Sequence, residues 1–474
     1  MHILPKLFSL TLLVSLCACA SSGNAGVTPN FNGAAAMNAT SGKYIKHVVI
    51  VVQENRTYDN FFATFPGGDG ATYGYYLKRV GTKFVKTKIN LVEQPLIGNQ
   101  DVDHGSRAYN VSCDGTDTYP KTHCDMDGFN LQYVDGNKQH LASTYPYMYI
   151  NPSDIQPYWT MAQQYGLSDH MFTTQGSGSF TAHLDLVAGG SQLKPSWSLI
   201  DYPSNFNDWG CGASGETTSR LTTNGKYFPY YSKKPGPAPC LTYPTKTMRD
   251  LLDTAGLSWK YYTPKYVAGT MGAEWDAFAA ISDVYNDPNE WGTNVSWPET
   301  NIFNDITNNA LPAVSWVIPE DNNSDHPWGP GRKIDDGPAW VSSIVNAVGQ
   351  SSYWDSTAII VTWDDFGGYF DHEPPPLFDK MGGLGFRVPM IVVSPYVAPD
   401  TISKTPYEFA SILKFVEQNF ALPSMHTTDE RATSIVDMFN FTQQPRPFVT
   451  IPSAHTKEYF LHQPHVADPM DKDD

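Results

Sequence analysis

Residues 46–62, Lys46-His47-Val48-Val49-Ile50-Val51-Val52-Gln53-Glu54-Asn55-Arg56 and onward to Phe62, constrain the fold most. Val48 to Val52 are five consecutive β-branched residues, a run that reads as a strand buried on both faces, as in the middle of a parallel sheet. Its C-terminal end is abruptly polar, and in open α/β sheets that edge is where ligands bind. Glu54 and Asn55 are adjacent oxygen donors, one charged and one neutral, a pair suited to a hard metal ion. Taken alone, a solvated strand-to-helix turn accounts for them as simply.

The pattern recurs. Ala358 to Trp363 is a second strand of the same character and ends in Asp364-Asp365-Phe366-Gly367-Gly368. Two adjacent aspartates at a buried strand end repel each other unless a cation or protons intervene, and a metal is the economical explanation. Gly367-Gly368 lets the backbone approach such a site closely. Ala313–Ile318 and Arg387–Pro395 read as further strands, Ser258–Tyr262 as another, and Ala182–Ala188, Met248–Ala255, Ala339–Val348 and Tyr407–Phe420 as helices. Strands alternating with helices predict an α/β chain. Between them, Thr173 to His183 alternates glycines with small hydroxyl residues before a helix. A helix N-terminus suits an anion, and a hydroxyl placed there is a candidate nucleophile, with Ser177, Ser179 and Thr181 as the choices. His104, between Asp103 and Gly105 in a polar knot, is a candidate phosphate donor oriented by a carboxylate.

A formal net charge of −17 over 474 residues argues against nucleic acid as a partner, since no basic surface neutralises phosphates. Lys6 followed by the apolar run Leu7–Leu16 and a small-residue stretch predicts a signal peptide over 1–20. Ala18-Cys19-Ala20 fits ordinary secretion, and Leu16-Cys17-Ala18-Cys19 resembles a lipobox with Cys19 as the lipidated residue. Both routes lead out of the cytoplasm, to the periplasm, the outer membrane or the medium. Residues 21–42 read as a flexible linker, 43–445 as the catalytic domain, 190–300 as an insertion over the sheet's ligand-binding edge, and 446–474 as an extended tail. Cys113, Cys124, Cys211 and Cys240 remain in the mature chain. Two local disulfides, Cys113–Cys124 and Cys211–Cys240, are the simplest of three pairings.

The segments QENRTYDNFF, DVDHGS, MDGF, GSGSFTAHL, VSWVIP with SDHP, IIVTWDDFGGYFDHEPPP, GFRVPMIVVSPYV and SILKFVEQNF occur in order from about Lys46 to Phe420. Together they resemble the bacterial phosphoesterase family of phospholipases C and acid phosphatases, within the alkaline phosphatase superfamily. The resemblance implies a three-layer α/β/α sandwich, with a mostly parallel central sheet, helices on both faces and irregular insertions over the active site. It implies Glu54, Asn55, Asp364 and Asp365 as metal ligands together with Ser179, which falls at the family's nucleophile. The family pattern G-P-[ST]-x-P-N-[RH] is here Ser177-Gly178-Ser179-Phe180-Thr181-Ala182-His183, without the proline and asparagine. His104 and His326 match histidines near the phosphate, and His183 is expected to contact substrate. No histidine lies between His183 and His326.

These residues imply one divalent ion, with Ca, Mg or Mn favoured over Zn because the ligands are oxygens. The implied chemistry is double displacement through a phosphoseryl intermediate, with His326 or His104 protonating the leaving oxygen. The expected partner is a phosphate ester, either a small molecule or a phospholipid head group. Membrane contact is expected only through a lipid anchor or a lipid substrate. A compact acid-phosphatase-like phosphomonoesterase is the favoured reading, phospholipase C the alternative. A surface lipoprotein that kept the fold without activity is a third reading, and it predicts a lost ligand or nucleophile.

Overall fold

Val48 to Val52 are wholly buried and lie at the centre of an eight-stranded sheet. The computed structural model describes residues 42–465, except 135–136, 195–196, 201–209, 213–217, 224–225, 232–239, 244–245, 268–274, 330 and 379–382. The signal peptide, Cys19 and nearly all of the linker read over 21–42 therefore lie outside the described residues, as do 466–474. Among the described residues no helix is long and apolar enough to cross a membrane.

The strands of the sheet are β1 (His47–Gln53), β2 (Gly166–Ser168), β3 (Trp259–Tyr262), β4 (Val295–Ser296), β5 (Val314–Val317), β6 (Thr357–Trp363), β7 (Met390–Val393) and β8 (Thr401–Ser403). Their order is β4-β3-β5-β1-β6-β7-β2-β8. All neighbours are parallel except that β7 runs antiparallel to both β6 and β2. The helices that position the site are α1 (Tyr58–Phe62), α2 (Gln156–Gln164), α3 (Ser179–Ala188), α4 (Gly337–Gly349) and α5 (Phe409–Phe420). α2 packs on α4, and α3 on α5, giving helical layers on both faces of the sheet.

Strand parity decides what meets what. Ile50 pairs with Trp316 and Ile360, and the Trp316 indole donates to the Leu186 carbonyl of α3 at 3.0 Å, so this pleat side faces α3. Gln53 pairs with Trp363 on the other side, where the Tyr158 ring of α2 lies 4.9 Å from Trp363. Side chains alternate along a strand, so the next residues, Glu54 and Asp364, return to the α3 side. The Asp364 amide donates to the Gln53 carbonyl at 2.9 Å, which carries the β1–β6 register one step past the strands and sets the two acidic pairs side by side.

The structure differs from the sequence reading in three places. The 190–300 region is more than a cap, because it contributes β3 and β4 to the central sheet. The segment after 445 is extended but docked on the helical layer. Phe448 packs edge-on against Trp354 at 4.9 Å, Asn346 of α4 exchanges hydrogen bonds with the Ile451 backbone at 2.8 and 2.9 Å, and Phe460 packs on Trp340 at 5.2 Å. Its scattered apolar residues lack any period, yet Ile451 and Phe460 are buried against the helical layer. Lys83–Asn90 pairs with Tyr73–Val80, a strand that the sequence reading did not separate. Both local disulfides, Cys113–Cys124 and Cys211–Cys240, are formed.

Candidate active site

Glu54, Asn55, His104, Ser179, His183, His326, Asp364 and Asp365 are all at most 1% exposed. Burying so many polar groups is costly unless they are paired or hold a ligand. Three features of the local sequence bring them together.

The first is the turn after β1. Asn55 has φ of 60°, in the left-handed region that asparagine tolerates better than most residues. Its amide N–H then donates to Asp364 Oδ1 at 2.9 Å, and its side chain reaches inward. The second is the loop after β6. Gly367 has φ of 57°, its N–H donates to Asp365 Oδ1 at 2.7 Å, and an added Cβ there would sit 2.2 Å from the Asn55 carbonyl oxygen. The close approach expected of Gly367 is thus a contact between the two acidic turns. The third is α3. Ser179 is its first residue and the Gly178 cap offers no side-chain bond, so the Ser179 hydroxyl stands at the N-terminal end of the helix, where backbone N–H groups point.

Ser179 Oγ donates within reach of two acceptors, Asp365 Oδ2 at 3.1 Å and Asn55 Oδ1 at 3.2 Å. One turn along α3, His183 Nε2 lies 3.0 Å from Glu54 Oε1, and burial drives the pKa of this ring down to about 4. Its other nitrogen is 3.5 Å from the Tyr261 hydroxyl. Glu54, His183 and Asp364 hold ligand atoms within 4.8 Å of one another. Asp364 Oδ2 is buried with no hydrogen-bond partner among the described residues. Two carboxylate oxygens and a neutral imidazole nitrogen, with Asp364 Oδ2 unsatisfied among the described residues, fit a divalent cation. His183, expected at the substrate, instead faces Glu54. The i, i+4 spacing of Ser179 and His183 on one helix face is the signal that could have placed it there.

His104 Nδ1 meets the Val102 carbonyl at 2.8 Å, and its Nε2 meets Asn55 Nδ2 at 3.1 Å. Since the amide nitrogen can only donate, Nε2 accepts and the proton sits on Nδ1. A carbonyl, rather than the expected carboxylate, therefore sets the tautomer, and the bond turns the Asn55 oxygen toward Ser179. His326 faces His104 across 6.1 Å between ring centres.

The residue before it went unread in the sequence. Asp325 has φ of 71°, and its Oδ2 accepts from Tyr158 at 2.7 Å and Trp363 at 3.0 Å. Arg56 donates to its carbonyl at 2.8 and 2.6 Å. Burial, then the Asp335 charge, raise its pKa, and its bonds to Tyr158, Trp363 and Arg56 make it part of the scaffold behind His326.

A second acidic group, Asp59, Asp371 and His372, also brings ligand atoms within 4.8 Å. It already holds a cation. Arg387, fully buried, donates from Nε to Asp371 Oδ1 at 2.8 Å and approaches Asp59 at 3.5 Å.

An α/β sheet whose parallel strands β1 and β6 deliver buried carboxylates beside a serine at the first position of a helix defines a hydrolase-type site on the sheet's ligand-binding edge. A model of the Phosphoesterase family matches residues 45–423, and the chain belongs to that family. Phospholipase C B of Mycobacterium tuberculosis is 31% identical over 248 residues, 45% of this chain and 47% of that protein, so the match spans about half of the relative's length. Phospholipase C A of the same organism is 23% identical across 85% of this chain and 78% of the relative. Non-hemolytic phospholipase C of Pseudomonas aeruginosa is 24% identical across 86% of this chain and 59% of the relative. Among solved structures, a protein in the alkaline phosphatase superfamily from Vibrio parahaemolyticus covers 57% of this chain and 61% of its own, at 13% identity and a TM-score of 0.32. That likeness is too slight to define the fold, which rests on the strand order.

Proposed function

We propose that the protein is a metal-dependent phosphoester hydrolase with Ser179 as its nucleophile. The observation that supports this best is the Ser179 hydroxyl within 3.1 and 3.2 Å of Asp365 and Asn55 at the start of a buried helix. Glu54, Asn55, Asp364 and Asp365, with His183 as a fifth candidate, would hold one divalent cation, which when bound lowers the pKa of a neighbouring hydroxyl and neutralises phosphoryl charge. The protein's own groups do the rest. Asp365 accepts the Ser179 proton's hydrogen bond and orients Oγ for in-line attack on phosphorus, with a phosphoseryl intermediate released by water. The α3 amides stabilise the equatorial oxygens. His326 or His104, whose rings face each other at 6.1 Å, would protonate the leaving oxygen. The non-catalytic reading predicts a missing ligand or nucleophile, and the candidate residues Glu54, Asn55, Ser179, Asp364 and Asp365 are all present in the chain.

The favoured substrate in the sequence reading is a phosphomonoester. A phospholipid head group is the second reading, favoured by relatives whose names are phospholipase C. Release of product from a chromogenic phosphomonoester and from phosphatidylcholine vesicles, with and without chelator, separates the two. Ser179→Ala is expected to lower kcat by on the order of 10³-fold or more on the true substrate while leaving folding intact. Full activity in that variant would remove Ser179 from the mechanism.

A further inference from the structure

His326 sits between two indoles. The Trp275 ring centre is 5.9 Å away and the Trp328 ring centre 4.3 Å away, tilted by 36° and 33°. Trp275 is fully buried and Trp328 half-buried, and the Nε1 atoms of both are buried with no hydrogen-bond partner among the described residues. Trp275 is tied to the candidate site from its other end, because its carbonyl accepts from Tyr261 at 2.7 Å and that hydroxyl lies 3.5 Å from His183. Contacts therefore run from Glu54 through His183 and Tyr261 to the Trp275 carbonyl, and from the Trp275 ring through His326 and His104 to Asn55.

An indole N–H can only donate, and a buried donor without an acceptor carries its full desolvation penalty. Two such donors beside one histidine mark a place where acceptors enter. The carboxylates around Ser179 offer acceptors only, so a tetrahedral phosphoryl group arriving there needs donors on its opposite side. Neutral donors serve without adding a cation that the carboxylates would capture.

We propose that the Trp275 and Trp328 indole N–H groups donate hydrogen bonds to the phosphoryl oxygens of the substrate, one on each side of His326. The proposal rests on the phosphoester reading of the site and names the residues that complete its oxyanion contacts.

The test uses inorganic phosphate on the divalent-loaded full chain. In the wild-type protein, two of the twelve indole N–H resonances are expected to move downfield when phosphate is added. Trp275→Phe and Trp328→Phe should each remove one of those two signals and weaken phosphate binding by on the order of tenfold in calorimetry. The melting temperature without phosphate is expected to fall modestly in Trp275→Phe, because the smaller ring leaves a cavity at a fully buried position, and phosphate affinity is therefore compared only between folded proteins. Phosphate binding by the wild type with no indole shift, or an affinity within twofold of wild type in both variants, overturns the proposal and leaves the phosphoester reading standing. A wild-type protein that binds no phosphate overturns both. The spectrum of the wild type decides the matter even if a variant fails to fold.

Discussion

Two buried acidic groups stand at the ends of the same strands, and they are built to opposite purposes. Beyond β1 and β6, Glu54, Asn55, Asp364 and Asp365 converge with a serine and a histidine, and Asp364 Oδ2 has no partner among the described residues. A few residues further along each chain segment, Asp59 and Asp371 converge in the same way, but Arg387 lies between them with bonds of 2.8, 3.3 and 3.5 Å. Tyr58 stacks beneath the guanidinium at 4.5 Å, and Asp169 supplies a carbonyl at 2.8 Å. One group contains its countercharge and is a structural clamp. The other has an Asp364 oxygen with no partner among the described residues and is the candidate site. The lesson is that composition and spacing of acidic residues do not separate a metal centre from an ion-pair cluster, whereas the presence of a buried guanidinium does.

The sharpest way to break this comparison is to neutralise one acid in the site. Asp364→Asn is expected to cut kcat and metal affinity by on the order of 10³-fold, with stability equal to or above wild type, because it removes a buried charge whose Oδ2 has no partner among the described residues. A loss of stability would mean that the site is a clamp too. In the other group the order of effects should reverse. Arg387→Met is expected to cost about 3–5 kcal/mol in denaturant unfolding, since it strands two buried carboxylates, and adding Asp59→Asn and Asp371→Asn should recover most of that loss.

Between the two in kind lies Gly367→Ala. Its φ of 57° and the 2.2 Å clash with the Asn55 carbonyl predict about 1–3 kcal/mol of strain. Displacing Asn55 should also lower activity by roughly tenfold, measured as kcat against a chromogenic ester.

The smallest effect is a pH dependence of the clamp. Burial disfavours charge on His372, but its 2.8 Å bond to Asp59 and the surrounding carboxylates overcome this and raise its pKa to about 9. A folded-state pKa above the unfolded value means stabilisation that is present below the ordinary histidine pKa of about 6.5 and lost as pH rises through about 9. Wild type should lose about 1 kcal/mol relative to His372→Gln across that window in urea titrations, the ring being partly exposed to solvent.

Much of this was legible in the chain because it is local. Val48–Val52 and Ala358–Trp363 declare buried strands through β-branching alone, and Glu54-Asn55 and Asp364-Asp365 follow directly, so the edge and its oxygen donors could be read without a structure. The Ser179 helix start is likewise a local pattern. What resisted reading depends on distant pairing. Ser179 and Asn55 are 124 residues apart, and Arg387 reaches Asp59 across 328. Nothing near Arg387 in sequence says which carboxylates it will meet, and the spacing of Ser179 and His183 puts both on one helix face without naming Glu54 as the partner of His183. The tail beyond 445 has no hydrophobic period to betray its docking on α4.

The sequence alone determined that this is an α/β chain with two oxygen-rich strand ends and a serine at a helix start, because backbone propensity and side-chain alternation act over a few residues. Only the tertiary structure decided which acids share a cation with Arg387 and which remain open to a ligand, because that depends on the Gln53–Trp363 register and on the left-handed turns at Asn55 and Gly367. Charge balance in a buried site is a sum over neighbours in space, and those neighbours are chosen by the fold.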